Sequence, residues 1–242
     1  MFRYCFIFIV IVCSYALASN EKTIFGFTPI YLEGSPRSSF ESSNTLVALF
    51  PSGLFGPQQS GFNFEAKLQP GLVKAISYEI FFPHDFDFVN GGKLPGLCGG
   101  KIATGGKPAT GTNGFSARIM WRKDGRIVSY VYHVDQADIY GDDFQWLTPD
   151  KSSLFVRKGI WHKVKMLIQL NEIGKKNGTI KAFMDGALAF EKSDFSFRFI
   201  GSIKIDNLCF NTFFGGGDAT WAPHKDETLK IRNLKIEDFA RR

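Results

Sequence analysis

The sequence predicts a single-domain, all-β protein folded as a two-sheet sandwich of the concanavalin-like jelly-roll type. Its 242 residues suit one large domain or two small ones, and no linker or charge block divides residues 19–242. The composition favours strands and turns, with 26 Phe against four Met and with 25 Gly and 10 Pro. Hydrophobic residues at 44% and charged residues at 21% exclude a disordered chain, a collagen and a coiled coil.

The first 18 residues have the pattern of a targeting segment and are not assigned to the fold. Arg3 precedes an uncharged, mostly apolar stretch at 4–17, and Ala16-Leu17-Ala18 ends it with small residues, as at a signal-peptide cleavage site. The apolar stretch is shorter than the roughly 20 residues needed to span a bilayer. An uncleaved membrane anchor is the alternative. A cleaved signal predicts a secreted, extracellular protein whose mature form has no membrane contact.

Removal of the signal would leave two cysteines. Cys5 and Cys13 lie within the signal, so Cys98 and Cys209 remain. An isolated pair in an oxidising compartment can form one disulfide, and two buried free thiols are the alternative.

Short segments with strand chemistry follow one another along the chain, each bounded by Gly, Asp, Asn or Pro. They include 72–82, 115–122, 126–134, 161–171, 179–184, 187–191, 202–214 and 228–239. Helical periodicity is hard to find. Residues 161–190 show the clearest strand pattern. Two segments that alternate apolar and polar residues, together with the tight-turn pairs Asn177-Gly178 and Asp185-Gly186, predict three consecutive antiparallel strands. This pattern resembles that of concanavalin-like jelly rolls, many of which handle polysaccharides.

Two pairs of polar side chains occupy neighbouring predicted strands in the middle of the chain. Ser116 and Arg118 are two residues apart, as are Tyr130 and Tyr132, so each pair lies on one face of its own strand. Whether all four side chains share a face depends on the loop that joins the two strands.

Two loops are compatible with this connection. A two-residue Asp124-Gly125 turn places Arg118 and the tyrosines on opposite faces of the sheet. A three-residue loop with Gly125 in the left-handed conformation instead pairs Arg118 with Tyr130, and the other two polar residues with each other. Both loops are common in hairpins, and the sequence fits either. Only the second builds a site, and we adopt it as the prediction.

Cationic and hydroxyl groups clustered on a sheet face suit a polymer of uronic acids. β-Elimination needs neutralisation of the carboxylate at C5, removal of the C5 proton and a proton for the departing O4. Arg118 offers a planar fork for the carboxylate, and Lys93 offers a point charge nearby. Adjacent cations favour a tyrosine phenolate, so one tyrosine is expected to act as base, with a second hydroxyl or Lys93 as acid. Ser116 is expected to orient a tyrosine or a sugar hydroxyl.

Three segments, GGKLPGL at 91–97, FSARIMWR at 115–122 and YVY at 130–132, resemble polysaccharide lyase family 14 in sequence and spacing. FFGGGD at 213–218 and WAP at 221–223 resemble a later segment of the same family. The resemblance implies a jelly-roll lyase that acts on alginate or a glucuronic-acid polymer and needs no metal or other cofactor. It places the catalytic residues of the family on Lys93, Ser116, Arg118, Tyr130 and Tyr132.

The sequence also bears on three other functions: a carbohydrate-binding module, a glycoside hydrolase and a nucleic-acid-binding protein. A non-catalytic carbohydrate-binding module would hold a glycan on exposed aromatic side chains, for which the candidates are Trp121, Trp146 and Trp221. Jelly-roll glycosidases of the laminarinase kind carry a Glu-x-Asp-x-x-Glu strand, and no such string occurs, which argues against a hydrolase. The net charge of +6 suits an acidic partner, while the lack of any run of five basic residues argues against nucleic acid. The expected partner is therefore an acidic polysaccharide, bound by a monomer.

Overall fold

The computed structural model describes residues 23–240, so the predicted signal at 1–18 lies outside the described residues. Within this range 14 strands account for most of the chain, and no helix is long and apolar enough to cross a membrane. The strands are β1 (Pro29–Glu33), β2 (Ser38–Ser42), β3 (Thr45–Phe50), β4 (Phe62–Gly71), β5 (Val73–Phe81), β6 (Gly91–Gly100), β7 (Gly114–Arg122), β8 (Ile127–Tyr132), β9 (Asp142–Gln145), β10 (Trp161–Gln169), β11 (Gly178–Met184), β12 (Ala187–Phe195), β13 (Ile205–Phe214) and β14 (Glu227–Asp238).

The strands form two antiparallel seven-stranded sheets that pack face to face. The front sheet has the order β1-β4-β13-β6-β7-β8-β9, and the back sheet has the order β12-β11-β10-β5-β14-β3-β2. Apolar side chains from the inner faces form one large core, rich in fully buried aromatic rings such as Phe50, Phe64, Phe82 and Trp121. The predicted all-β jelly-roll sandwich is confirmed, as is the run of three antiparallel strands β10-β11-β12.

Each of the eight strand segments predicted from the sequence overlaps an observed strand. The most informative strand that the prediction lacked is β6, a central strand that contains five glycines and Pro95. Several of these glycines are required by close approach of neighbouring groups. A Cβ atom at Gly96 would lie 2.1 Å from the carbonyl oxygen of Ala117, and one at Gly92 would lie 2.1 Å from the ring of Trp121. These glycines let β6 fit between β13 and β7.

Cys98 on β6 and Cys209 on β13 form a disulfide across neighbouring strands of the front sheet, with Cα atoms 6.1 Å apart. Of the two alternatives that the sequence left open, the structure has the disulfide, and both residues are fully buried. It joins positions 111 residues apart in the chain, so it restricts the unfolded state strongly.

Replacing both cysteines with serine is expected to lower the free energy of unfolding by about 2–5 kcal/mol, because the unfolded chain regains the freedom of a long loop. Urea unfolding of the oxidised wild type and of the double variant measures the difference. Reductant should lower the midpoint of the wild type and leave the variant unchanged. A wild-type midpoint that does not respond to reduction would contradict the expectation.

Candidate active site

The hairpin of β7 and β8 adopts the register that brings the predicted side chains together. Its loop spans three residues, and the N–H of Arg122 donates to the carbonyl of Arg126 at 2.7 Å. Arg118 faces Tyr130, and Ser116 faces Tyr132 in the neighbouring position. The three-residue loop prediction is confirmed, with one addition. Asp124 (φ 61°) shares the left-handed conformation with Gly125 (φ 84°), which a short polar side chain tolerates.

Lys93 joins this group from β6, on the other side of β7. It faces Met120, and a bulge separates Leu94 from Gly96 in the pairing of β6 with β7. The ammonium nitrogen of Lys93 lies 4.6 Å from the centroid of the Tyr130 ring. All five predicted site residues thus lie on the outer face of the front sheet, opposite the core. The structure places them together, and their catalytic roles remain predictions.

Arg118 is held by hydrogen bonds along the outer face and is only 3% exposed. Its Nε donates to Oδ1 of Asn211 at 2.7 Å, and its Nη1 donates to Oγ of Ser116 at 3.0 Å. Ser116 in turn donates to the carbonyl of Ala103 at 2.6 Å. Ser116 therefore orients the guanidinium, whereas the sequence suggested that it orients a tyrosine or a sugar. Burial lowers the pKa of Arg118 to about 10, so the group stays charged at neutral pH.

The two tyrosine hydroxyls are bonded to each other and to backbone groups of two loops. Oη of Tyr130 donates to Oη of Tyr132 at 3.4 Å and accepts from the N–H of Gly141 at 3.2 Å. Oη of Tyr132 accepts from the N–H of Gly106 at 3.4 Å. Burial, followed by the hydrogen bond to Tyr132, raises the pKa of Tyr130. The raised pKa favours the protonated form of Tyr130, although the positive charge of Arg122 lowers this pKa, as expected from the sequence for a neighbouring cation.

The environment of Lys93 lowers its pKa, whereas the environment of Tyr130 raises the pKa of that group. The side chain is 9% exposed, and burial is the main cause that holds its pKa well below the ordinary value of 10.5. The positive charges of Arg118 and Arg122 lower this pKa further, while Asp143 raises it. Because burial and cations both disfavour the ammonium form, Lys93 is suited to accept a proton. These directions suit Lys93 to accepting a proton and Tyr130 to donating one, whereas a tyrosine was expected as base from the sequence, and both sets of roles stay predictions.

Arg122 forms the border of the site beside Tyr130. Its guanidinium binds both oxygens of Asp143, with Nε to Oδ2 at 2.8 Å and Nη2 to Oδ1 at 2.6 Å. The same group lies 5.5 Å from the Tyr130 ring and 5.8 Å from the Trp221 ring.

A cavity of about 500 Å³ lies beside the β7–β8 loop, lined by Lys123 and Asp124 among others, but none of the five site residues contributes to it. The candidate site is therefore the cluster of five side chains on the sheet face and not this cavity.

The tryptophans do not form the platform that a carbohydrate-binding module would need. Trp121 and Trp146 are fully buried, and their indole N–H groups donate to Phe88 and Ser129 respectively. Only Trp221 of the three candidates reaches the border of the site. Two of the three tryptophans proposed for stacking in a non-catalytic module are therefore out of reach of a glycan.

Sequence reasoning missed one amide pair that reaches the site. Asn211 on β13 binds Arg118 and also donates through Nδ2 to Oδ1 of Asn63 on β4 at 3.3 Å. The available signal was a single Asn within each of two apolar strands, which does not by itself indicate a site. Residues 23–240 contain no group of three or more His, Cys, Asp or Glu that could hold a metal ion.

The chain resembles known proteins along most of its length. Residues 39–234 match the family model Polysaccharide lyase 14. Exolysin of Paramecium bursaria Chlorella virus 1 is 26% identical over 238 residues, which cover 82% of this chain and 35% of the viral protein. The chain therefore spans about a third of the length of that curated relative.

Solved structures of alginate lyases superpose on this fold. A variant of alginate lyase Aly36B in complex with alginate trisaccharide has a TM-score of 0.77 at 25% identity, over 86% of this chain and 87% of that one. The marine alginate lyase from Aplysia kurodai has a TM-score of 0.76 at 25% identity, over 89% of this chain and 93% of that one.

Proposed function

Because the chain belongs to the polysaccharide lyase 14 family, we propose that it cleaves a uronic-acid polymer of the alginate or glucuronan type by β-elimination. The reaction proceeds without a metal and outside the cell. One observation carries the proposal: a buried lysine of lowered pKa, a buried tyrosine of raised pKa and a charged arginine meet on one sheet face. An elimination at a uronate needs these three groups.

Each group serves one part of the reaction. Arg118 binds the C5 carboxylate and stabilises the negative charge that spreads onto it as the C5 proton leaves. The neutral amine of Lys93 takes that proton, and Tyr130 donates its own proton to O4 as the C4–O4 bond breaks. The electron pair of the C5–H bond becomes the C4–C5 double bond. The products are an unsaturated chain end and a free hydroxyl, and solvent resets Lys93 and Tyr130.

The placement of base and acid supports a preference among uronates. Lys93 and Tyr130 both rise from the same sheet face, so both approach a bound sugar from the same side. In mannuronate and glucuronate the C5 hydrogen and O4 lie on one side of the ring, whereas in guluronate they lie on opposite sides. We therefore expect mannuronate or glucuronate at the cleaved position.

A panel of polymers tests the function. Oxidised, folded protein is incubated with polymannuronate, polyguluronate, glucuronan and a neutral glucan, and the absorbance of the unsaturated product is followed. Product should form on polymannuronate or glucuronan, more slowly on polyguluronate and not on the glucan, with rates unchanged after treatment with a chelator. No product on any uronate polymer would refute the proposal. Secretion is tested separately by N-terminal sequencing of protein recovered outside the cell.

The pH profile of kcat/KM should follow the two shifted groups. Activity needs neutral Lys93, so the rate rises with pH as its ammonium loses a proton, and this limb lies well below pH 10.5. Activity also needs protonated Tyr130, so the alkaline fall lies above the ordinary tyrosine pKa of 10.0. Initial rates across the pH range measure both limbs. Arg122→Gln removes a cation that lowers the Lys93 pKa and should move the lower limb to higher pH. A rate that falls with rising pH through neutrality would contradict these roles.

A further inference from the structure

Asn211 contacts Arg118 although it has no part in the proton transfers. The contact crosses a whole strand, since β6 lies between β7, which carries Arg118, and β13, which carries Asn211. Gly96 of β6 faces Arg118 on one side and Cys209 on the other. The Arg118 side chain extends across β6, and its Nε reaches Oδ1 of Asn211 at 2.7 Å.

The orientation of the Asn211 amide is set by a second buried amide. Nδ2 of Asn211 donates to Oδ1 of Asn63 at 3.3 Å, and Nδ2 of Asn63 donates to the carbonyl of Pro57 at 3.1 Å. Asn63 is 1% exposed, so its donor must be bonded within the protein. This chain of amides turns the nitrogen of Asn211 towards β4 and its oxygen towards Arg118.

The acceptor that holds Arg118 is neutral, although a carboxylate lies close by. Half-buried Glu65 on β4 interacts electrostatically with Arg118, yet the two form no ion pair in the part of the chain that the structure describes. With Nε bound to Asn211 and Nη1 bound to Ser116, Nη2 of Arg118 has no hydrogen-bond partner among residues 23–240. The guanidinium is thus fixed in place with its charge uncompensated by a direct contact.

We infer that Asn211 is a positioning residue whose neutral oxygen aims Arg118 at the substrate carboxylate without cancelling its charge. The inference rests on the proposed elimination, because an uncompensated guanidinium is useful only when a substrate carboxylate binds it. A carboxylate at position 211 would form a charge-assisted bond with Arg118 and compete with the substrate. The amide supplies the same geometry without this competition.

Two variants of Asn211 separate positioning from a merely structural role. Asn211→Asp keeps an acceptor for Arg118, adds a charge and loses the donor to Asn63, whereas Asn211→Ala removes both hydrogen bonds. We expect KM for the polymer to rise by roughly 10- to 100-fold in Asn211→Asp and by less in Asn211→Ala. Thermal stability should follow the opposite order, with Asn211→Ala the less stable. If Asn211 had only a structural role, Asn211→Ala would have both a higher KM and a lower thermal stability than Asn211→Asp.

A matched control uses the same substitution elsewhere on the same strand and face. Asn207 accepts from Lys67 at 3.0 Å, donates to Asp206 at 2.6 Å and does not contact Arg118, so Asn207→Asp should lower stability through repulsion with Asp206 but leave KM near the wild-type value. An active wild type whose KM is unchanged in Asn211→Asp, or raised equally in Asn207→Asp, would overturn the inference alone. A wild type that makes no unsaturated product would overturn the proposed function and this inference together.

Discussion

Replacing Lys93 with methionine is expected to abolish polymer cleavage and leave the fold intact. Loss of the base should lower kcat by about 10²- to 10⁴-fold. Methionine has a similar length and no charge, so it suits a side chain that is 9% exposed, and the cost of burying an ammonium disappears. Initial rates of unsaturated product formation and thermal unfolding, measured on the same preparation, check both parts.

The matched variant Lys93→Arg tests whether this position provides a base or only a charge. Arginine keeps the positive charge next to Tyr130, but its guanidinium does not release a proton in proteins and cannot accept one. We therefore expect Lys93→Arg to be as inactive as Lys93→Met. Near-normal turnover by Lys93→Arg would show that the position supplies charge alone and that the base lies elsewhere.

Replacing Tyr130 with phenylalanine is expected to lower kcat by about 10²- to 10⁴-fold with little change in KM, because the proton donor for O4 is lost. Tyr130 is the better candidate of the two tyrosines for this role. The Lys93 ammonium lies over its ring, which places acid and base next to each other, and its hydroxyl donates in the free enzyme. Steady-state kinetics on the best polymer of the panel measure the effect.

Tyr132→Phe is the control for this prediction. Tyr132 is fully buried, and its oxygen accepts from both Tyr130 and the N–H of Gly106. Removing that oxygen should weaken the positioning of Tyr130 and cost less than removing the donor itself. A larger loss in Tyr132→Phe than in Tyr130→Phe would assign the acid to Tyr132 and contradict our choice.

Parts of both sheets were predictable because local chemistry and tertiary structure agree there. Alternating residues in β10 and β11, and the loop at 123–125, determine pairing through contacts close in sequence. β6 was not predicted as a strand because glycine and proline disfavour strands in isolation. Its conformation comes from hydrogen bonds with β7 and β13, and β13 lies more than 100 residues further along the chain.

The site was predictable in its membership more than in its chemistry. The choice of the three-residue loop placed Arg118 and Tyr130 on one face, and the resemblance to a known family supported Lys93 as a further member. The pKa shifts favour other roles for lysine and tyrosine than the sequence suggested, because the sequence shows neighbouring charges but not depth of burial, which is the largest cause of both shifts. Asn211 was missed because its contact with Arg118 depends on the order of strands in the sheet, which brings β13 within reach of β7 across β6.

The glycines of β6 also limit which positions of this fold can accept substitutions during evolution. At Gly92, Gly96 and Gly99 an added methyl group would come within 2.2 Å of a ring or backbone atom, so even alanine would force neighbouring strands to shift. We therefore expect few substitutions in this strand, while exposed side chains of the loops at 101–113 and 133–141 can change as long as their backbone contacts with Ser116, Tyr130 and Tyr132 are kept. New specificities for polymers would then arise from changes in the loops around a conserved β6.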